Sequence, residues 1–507
     1  MQILSAADIK AVDQATMQAQ QLESQELMER AAMRLVIALW QEKLIIQGKT
    51  QKILIICGSG NNGGDGLAMA RLLHEQNFDI SVWHVAIGEA SPDNMLMQSK
   101  LPDGVAYQRI DNRTPISQLE LGQCELIVDA LFGVGLSRPI DGHWAYLVEH
   151  INQRKPGRGH VVAIDLPSGL SAEQAARGAI IHADHTLCIG LPKLNLFFAQ
   201  NDRYIGHWTL VDIDLDQSAI EQKEALAYYT GAENVKPILR ARKRFGHKGT
   251  YGHVGIIAGS YGKIGAAILS VRAALRSGAG LVTALIPTCG YTLMQTSVPE
   301  AICQVDEHTY AVSRVGNMDA FSALGIGPGL GQNPLTINAI DELLDRLTKP
   351  VVVDADALNI LASQPEWLVR LPKNSILTPH PGEFDRLFGE HKEDFRRWTT
   401  ARERASALGL VIVLKGAYTS IYTPEGETFF NSTGNPGMGT AGSGDVLTGV
   451  ITGLLAQGYD SVDAARLGVY LHGLAGDLAA REEEQEAIIA GDIIAYLGKA
   501  FKKLREA

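Results

Sequence analysis

Apolar, β-rich runs alternate with helical patterns along the whole chain. In the first half the runs are ILIIC (53–57), ISVWHVA (80–86), LIVDA (126–130), VVAID (161–165) and HTLCIG (185–190). In the second half they are HVGIIAG (253–259), LVTALIP (281–287), ALGIGPG (323–329), VVVDAD (351–356), SILTPH (375–380) and VIVLKG (411–416). Several are apolar throughout, as strands covered on both faces are. The rhythm predicts an α/β protein built of two mainly parallel, doubly wound sheets with crossover helices. It breaks between residues 215 and 245, where Arg240, Arg242, Lys243 and Arg244 form a local basic cluster that a solvated face explains. One domain is therefore expected over 1–220 and a second over 221–507. No repeat relates the halves, which points to fusion rather than duplication.

The length of 507 residues agrees, since one ordinary core does not grow that large. Hydrophobic residues at 46% and charged residues at 20% fit a soluble globular protein. A net charge of -11 with no basic tract argues against a nucleic-acid partner. The five cysteines are odd in number, widely spaced and form no CxxC pair. That argues against a disulfide framework or zinc cluster and for a reducing compartment, so a cytoplasmic location is expected. Ser5-Ala6-Ala7-Asp8 reads as the capped start of an amphipathic helix rather than a secretory signal. No apolar run approaches the ~20 residues of a membrane span.

The strongest chemical signal is GNPGMGTAGSGD, with five glycines from Gly434 to Gly444, Asp445, and then the apolar helical run VLTGVITGLLA. Without Cβ atoms, consecutive N–H groups can turn toward one anion, and a helix N-terminus adds positive potential. The bland alternative is a flexible loop with Asp445 as an N-cap. Four more loops fall at strand ends, where open α/β sheets bind ligands: GIGPGLG, VDADALN, TPHPGEF and KGAYT. Lys415 offers a point charge to phosphate. His380 sits on a loop stiffened by Pro379 and Pro381. Asp354 and Asp356 read equally well as structural acceptors.

HKGTYGHVGIIAGS, GIGPGLG, VVVDADALN, ILTPHPGEF, VIVLKGAYTSI and GNPGMGTAGSGDVLTGVITGLLAQG, in this order, resemble the ribokinase-like ADP- or ATP-dependent NAD(P)H-hydrate dehydratases over nearly all of 240–500. The resemblance implies a ribokinase-like fold and removal of water from a hydrated nicotinamide ring at the expense of a nucleotide phosphate bond. It implies hydrate contacts at Ala266, Gly329, His380 and Asp445. It implies an adenine nucleotide held by Lys415, Gly416, Ala417, Tyr418, Thr419 and Gly444. Asp445 is expected to be the general base on the ring hydroxyl, with the Gly439–Gly444 amides stabilising the moving phosphoryl group. Mg2+ is expected with the nucleotide, its protein ligands unassigned.

In the N-terminal half ILIIC runs into GSGNNGGDG and then into the helical LAMARLLHE, a strand, Gly-rich turn and helix that is not a plain dinucleotide fingerprint. A turn decorated with Asn and Asp is the bland reading. LIVDALFGVGLSRPIDG adds Asp129 at a second strand end, and VVAIDLPSGL adds Asp165 and Ser168 at a third. Such Asn, Asp and Ser oxygens suit a hard cation. Asp165 follows an apolar strand, where desolvation is expected to raise its pKa for proton transfer.

With LMERAA (27–32) and LCIGLPK (187–193), this set resembles the NAD(P)H-hydrate epimerase domains over about 1–215. The resemblance implies a Rossmann-like three-layer fold and K+ held by Asn62, Asp129 and Ser168. It implies substrate contacts at Asn61, Asn62, Gly63, Gly64, Asp65, Gly133, Val134, Gly135, Leu136, Ser137, Arg138, Pro139 and Asp165. Asp165 is expected to move protons during exchange of the two C6 epimers. Together the halves imply a bifunctional repair enzyme with NADH and NADPH hydrates and an adenine nucleotide as small-molecule partners, no membrane, and a homo-oligomeric state. Competing readings are a ribokinase-like small-molecule kinase, a non-catalytic N-terminal scaffold, and a nucleotide sensor that binds without turnover.

Overall fold

The computed structural model describes residues 1–46, 51–121, 124–136, 138–153 and 160–507. The chain divides into two compact units, Gln2–Ala227 and Tyr228–Ala507, the latter joined by Met1. The division falls seven residues beyond 220.

The first unit is built on a seven-stranded sheet ordered Ala106–Ile110, Asp79–Val85, Lys52–Cys57, Leu126–Ala130, His160–Ile164, His185–Ile189 and His207–Val211, parallel throughout. Strand alternation sends Ile53, Ile55 and Cys57 into one core with helices Ser24–Gln41 and Asn61–Glu75. Leu54 and Ile56 enter the other core, with helix Gly142–Gln153. This gives three layers. Ser5 caps helix Ala6–Gln20 by accepting from the Asp8 N–H, as its sequence pattern predicts.

One expectation is corrected at GSGNNGGDG. The helix begins at Asn61, so Gly63, Gly64 and Gly66 lie inside it rather than in a turn. Close approach is the reason: a Cβ on Gly63 would stand 1.9 Å from the Gly58 carbonyl oxygen, and one on Gly66 2.6 Å from the Ala130 Cβ. These glycines seat the helix directly on the strand ends.

The second unit carries a mixed sheet. Its parallel part runs Ile302–Asp306, Leu281–Pro287, His253–Ile257, Ala323–Ile326, Val351–Val353, Ile376–Leu377 and Val411–Leu414. Ser420–Tyr422 and Thr428–Asn431 continue it antiparallel. Val352, Ile376, Val411 and Val413 pack with helices Ser443–Ala456 and Ser461–Ala479, while Val351, Val353 and Leu377 pack with helices Pro334–Leu344 and Ala355–Ser363. Helix Ser443–Ala456 is buried almost all round, as its apolar sequence requires. Its Gly449 meets helix Ile264–Arg276 so closely that a Cβ would lie 2.1 Å from the Ser270 carbonyl oxygen. Among the described residues no helix is long and apolar enough to cross a membrane.

Candidate active sites

In the first unit, loops beyond the carboxyl ends of the strands line a cavity of about 980 Å³. Asn61, Asn62, Asp65, Gly133, Val134, Gly135, Leu136 and Asp165 all reach it. Gly63 and Gly64 are buried behind it, Arg138 and Pro139 are exposed outside its lining, and Ser137 lies outside the described residues. Gly133 is the close point: a Cβ there would stand 2.6 Å from Asp165 Oδ2 and 3.1 Å from Asn62 Oδ1.

Asp165 is not the lone desolvated carboxylate expected from its apolar strand. Its Oδ1 pairs with Lys193 Nζ at 2.5 Å, both side chains nearly inaccessible. Its Oδ2 accepts from the Val134 N–H at 2.9 Å. The backbone at Asp165 is left-handed, φ +68°, a conformation that costs a non-glycine residue energy and recurs at functional sites. Burial works against the Lys193 charge, but Asp165 and the Cys188 sulfur override it and hold the ammonium above the usual lysine range. Sequence reading missed this lysine because LCIGLPK presents it as one charge after an apolar run. Lys193→Met removes the partner of a buried carboxylate, which typically costs about 3–5 kcal/mol. Urea unfolding of the first unit should show a loss of that order.

The expected cation set is partly assembled. Ser168 donates from Oγ to Asp129 Oδ1 at 2.6 Å and from its N–H to Oδ2 at 2.8 Å. The Phe132 N–H donates to Ser168 Oγ at 2.9 Å, and Asn62 stands against the next residue, Gly133. Among the described residues Asn62 Nδ2 is buried without a hydrogen-bond partner. Burial first, offset by the Ser168 hydrogen bonds, drives Asp129 up to about 6. Among the described residues no basic side chain pairs with it. An oxygen-rich pocket with an uncompensated buried carboxylate fits a hard monovalent cation.

In the second unit the glycine-rich loop is fixed from several sides. Asp477 accepts from the Gly434 N–H and from Asn435 Nδ2 at 2.9 and 3.0 Å. Buried His472 donates from Nε2 to the Ser443 carbonyl at 3.0 Å, and burial lowers its pKa to about 4, so it stays neutral. The helix starts at Ser443 after Gly442, whose φ of +89° suits glycine. Asp445 therefore lies in the first turn and is not the N-cap. Burial first, and then the charge of Asp354, raise Asp445 to about 6 against the pull of Lys415.

Lys415 does not stand free for phosphate. Its Nζ bonds Asp354 Oδ1 at 2.7 Å and lies 3.7 Å from Glu383 Oε2. These carboxylates outweigh burial and hold the ammonium above the usual range. Asp354 also caps helix Ala355–Ser363 and accepts from Thr448 Oγ1 at 2.6 Å. A Cβ on Gly444 would meet Lys415 Nζ at 3.4 Å and Asp354 Oδ2 at 3.8 Å, so these three converge. Gly416 and Ala417 are exposed beside them, and Tyr418 and Thr419 half-buried.

Gly329 and Ala266 also meet: a Cβ on Gly329 would lie 3.0 Å from that of Ala266. His380 caps helix Pro381–Phe388, its Nδ1 accepting from Gly382 and Glu383, with the ring exposed. Asp356 accepts from the Gly331 N–H at 2.8 Å and pairs with Lys263 at 3.1 Å. Thr448 and His472 were not legible as site residues, because each lies within an ordinary helical pattern, and Glu383 was passed over within the TPHPGEF loop.

The NAD(P)H-hydrate dehydratase family model matches residues 254–498, and the model for the YjeF-related protein N-terminus matches 24–195. The bifunctional NAD(P)H-hydrate repair enzyme of Moorella thermoacetica is 37% identical over all of this chain and 98% of its own. That of Escherichia coli K12 is 33% identical over 88% of this chain and 84% of its own. A solved ADP/ATP-dependent NAD(P)H-hydrate dehydratase of Bacillus subtilis, co-crystallised with ATP and Mg2+, is 33% identical with a TM-score of 0.50. It covers 55% of this chain and 99% of its own.

Proposed function

The chain belongs to the family of bifunctional NAD(P)H-hydrate repair enzymes, and from that premise we propose how its two units divide the repair. The second unit dehydrates the S hydrate of NADH or NADPH, using ADP or ATP and releasing AMP or ADP with phosphate. The first unit interconverts the R and S epimers, so that neither is stranded.

The observation that carries the dehydratase reading is Asp445. Its carboxyl, driven up to about 6, lies in the first turn behind a five-glycine loop and faces the Lys415–Asp354 pair. Such a group takes a proton near neutral pH. Asp445 removes the proton of the ring hydroxyl as that oxygen accepts phosphate; the phosphorylated oxygen then leaves C6 as phosphate, a C5 proton passes to solvent, and its electron pair closes the C5=C6 double bond. The Gly439–Gly444 amides hold the charge on the moving group. Lys415 and the loop through Thr419 hold the adenine nucleotide, with Lys415 oriented by Asp354. Gly329, Ala266 and His380 border the hydrate. Mg2+ bound with the nucleotide neutralises phosphate charge.

In the first unit Asp165, paired with Lys193, is the base of the epimerase. Asn62, Asp129 and Ser168 would hold K+, whose charge would offset that of Asp129 and tie the helix start at Asn62 to the loops that carry Gly133 and Asp165.

Purified protein given mixed R and S hydrates tests the reading. With ADP or ATP, NAD(P)H absorbance should return from both epimers. Without nucleotide none should return, while the epimer ratio still relaxes faster than in buffer. Recovery of NAD(P)H without nucleotide, or phosphorylated hydrate as the final product, would contradict it.

A further inference from the structure

The cavity of the first unit holds a carboxyl with no role so far. Asp13 reaches it from helix Ala6–Gln20, an element that carries none of the strand-end loops. Asp65 from helix Asn61–Glu75, and Asp165 and Lys193 from loops, share the same lining. Lys10, Glu89 and Glu173 line it as well. One buried lysine therefore stands among three inner carboxyls, and its Nζ is already paired with Asp165 at 2.5 Å. Charge balance then asks that Asp13 and Asp65 not both be ionised when Asp165 is. Burial first, against the pull of Lys193 and with the charge of Asp165, moves Asp13 up to about 6. Asp65 is held well above the usual carboxylate range by burial and by Asp165 and Asp13.

We propose that Asp13 is the acid of the N-terminal site, acting opposite Asp165 as base in the exchange of the two epimers. The inference rests on the epimerase reading above. The hydroxyl of the hydrate sits on C6, a carbon bonded to the ring nitrogen. Asp13 gives its proton to that hydroxyl. The C6–O bond breaks, its electron pair leaving with the water formed, while the nitrogen lone pair closes a C6=N1 double bond. The resulting cation is stabilised by the carboxylates around it. Water adds to the other face of C6, forms the new C6–O bond and returns the electron pair to nitrogen. Its surplus proton passes to Asp165. Solvent in the open cavity carries that proton back to Asp13 between turnovers. No oxidant or second substrate is consumed. Two carboxyls in opposite protonation states are what the sequence requires.

The route makes two demands that a merely structural Asp13 does not. The C6 oxygen must exchange with solvent during epimerisation, and the rate must fall as pH rises through about 6, where Asp13 loses its proton. The test is wild type, Asp13→Asn and Asp13→Glu with purified R hydrate in 18O-labelled water without nucleotide, spontaneous exchange subtracted. Asp13→Asn should lower kcat for both epimerisation and label uptake by about 10²-fold, the usual worth of a general acid. KM should stay within about twofold, and the fall near pH 6 should vanish. Asp13→Glu should regain at least a tenth of the rate and keep a pH limb, and it decides the question if the Asn variant does not fold. Wild-type rates in Asp13→Asn would overturn the proposal. So would epimerisation without label uptake, or a Glu variant with kcat as low as that of Asn. Failure of the wild type to interconvert the epimers would instead overturn the epimerase reading beneath it.

Discussion

Asp445→Asn should remove dehydration and stabilise the second unit at the same time. General-base catalysis is typically worth 10²–10⁴-fold, and with the oxygen unable to shed its proton we expect a loss of about 10³-fold in kcat. The amide is nearly isosteric, Asp445 lies in the first turn rather than at the cap, and the nucleotide contacts proposed above fall on other residues. Nucleotide affinity should therefore change little. The stability gain follows from the raised carboxyl. The folded pKa of about 6 exceeds that of the unfolded chain, so ionisation favours unfolding as pH rises from ~4 to ~6, at constant cost above. Asn removes that cost, discounted for the partial exposure of the group. The gain at pH 7 should be on the order of 1–3 kcal/mol and should vanish near pH 4. Thermal unfolding at the two pH values, beside single-turnover rates on pure S hydrate, checks both halves. Full activity, or a gain that persists at pH 4, would show that Asp445 is not the strained base.

Asp165→Asn should stop enzymatic epimerisation, again by about 10³-fold, leaving only the spontaneous exchange. Asparagine tolerates the left-handed backbone at this position, so the loop should keep its path. The loss has a second part: Lys193 would be left buried beside a neutral amide, which costs about 3–5 kcal/mol. Asp165→Asn combined with Lys193→Met separates the two effects. The double variant should recover most of the stability and none of the epimerisation. If stability and activity return together, Asp165 serves only to hold the lysine.

Both sites were visible in sequence because their loops interrupt apolar strands with glycines and acids that no core needs. GNPGMGTAGSGD and the Asp129 and Asp165 strand ends stand out for that reason. The strands themselves were legible where both faces are buried, as in ILIIC and VVVDAD. Ala106–Ile110 and Ile302–Asp306 were not, because each closes the edge of a sheet and four of the five residues of Ala106–Ile110 are exposed. Ser420–Tyr422 and Thr428–Asn431 were hidden for another reason: their three or four residues are too short to show a period. The ion pairs were hidden too. Asp354 and Lys415 lie 61 positions apart and meet only because Val351–Val353 and Val411–Leu414, parallel strands on either side of Ile376–Leu377, end at the same edge of the sheet. Asp13 reads in sequence as one polar residue on an amphipathic helix; only the folded cavity gives it neighbours. The helical placement of Gly63 and Gly64 was missed because glycine argues for a turn, whereas the close approach of Gly63 to the Gly58 backbone and of Gly64 to the Met28 side chain decides it.

Mixing the two single variants tests the division of labour most directly. Asp165→Asn and Asp445→Asn are each given an equal mixture of R and S hydrate with saturating ADP, alone and in equal amounts, and NAD(P)H recovery is followed. Asp165→Asn alone should recover the S half quickly and then slow to the spontaneous epimerisation rate. Asp445→Asn alone should recover nothing while still equilibrating the epimers. Together they should clear both epimers. A mixture that stalls at the S half, or recovery by Asp445→Asn alone, would contradict two independent sites with these two acids at their centres.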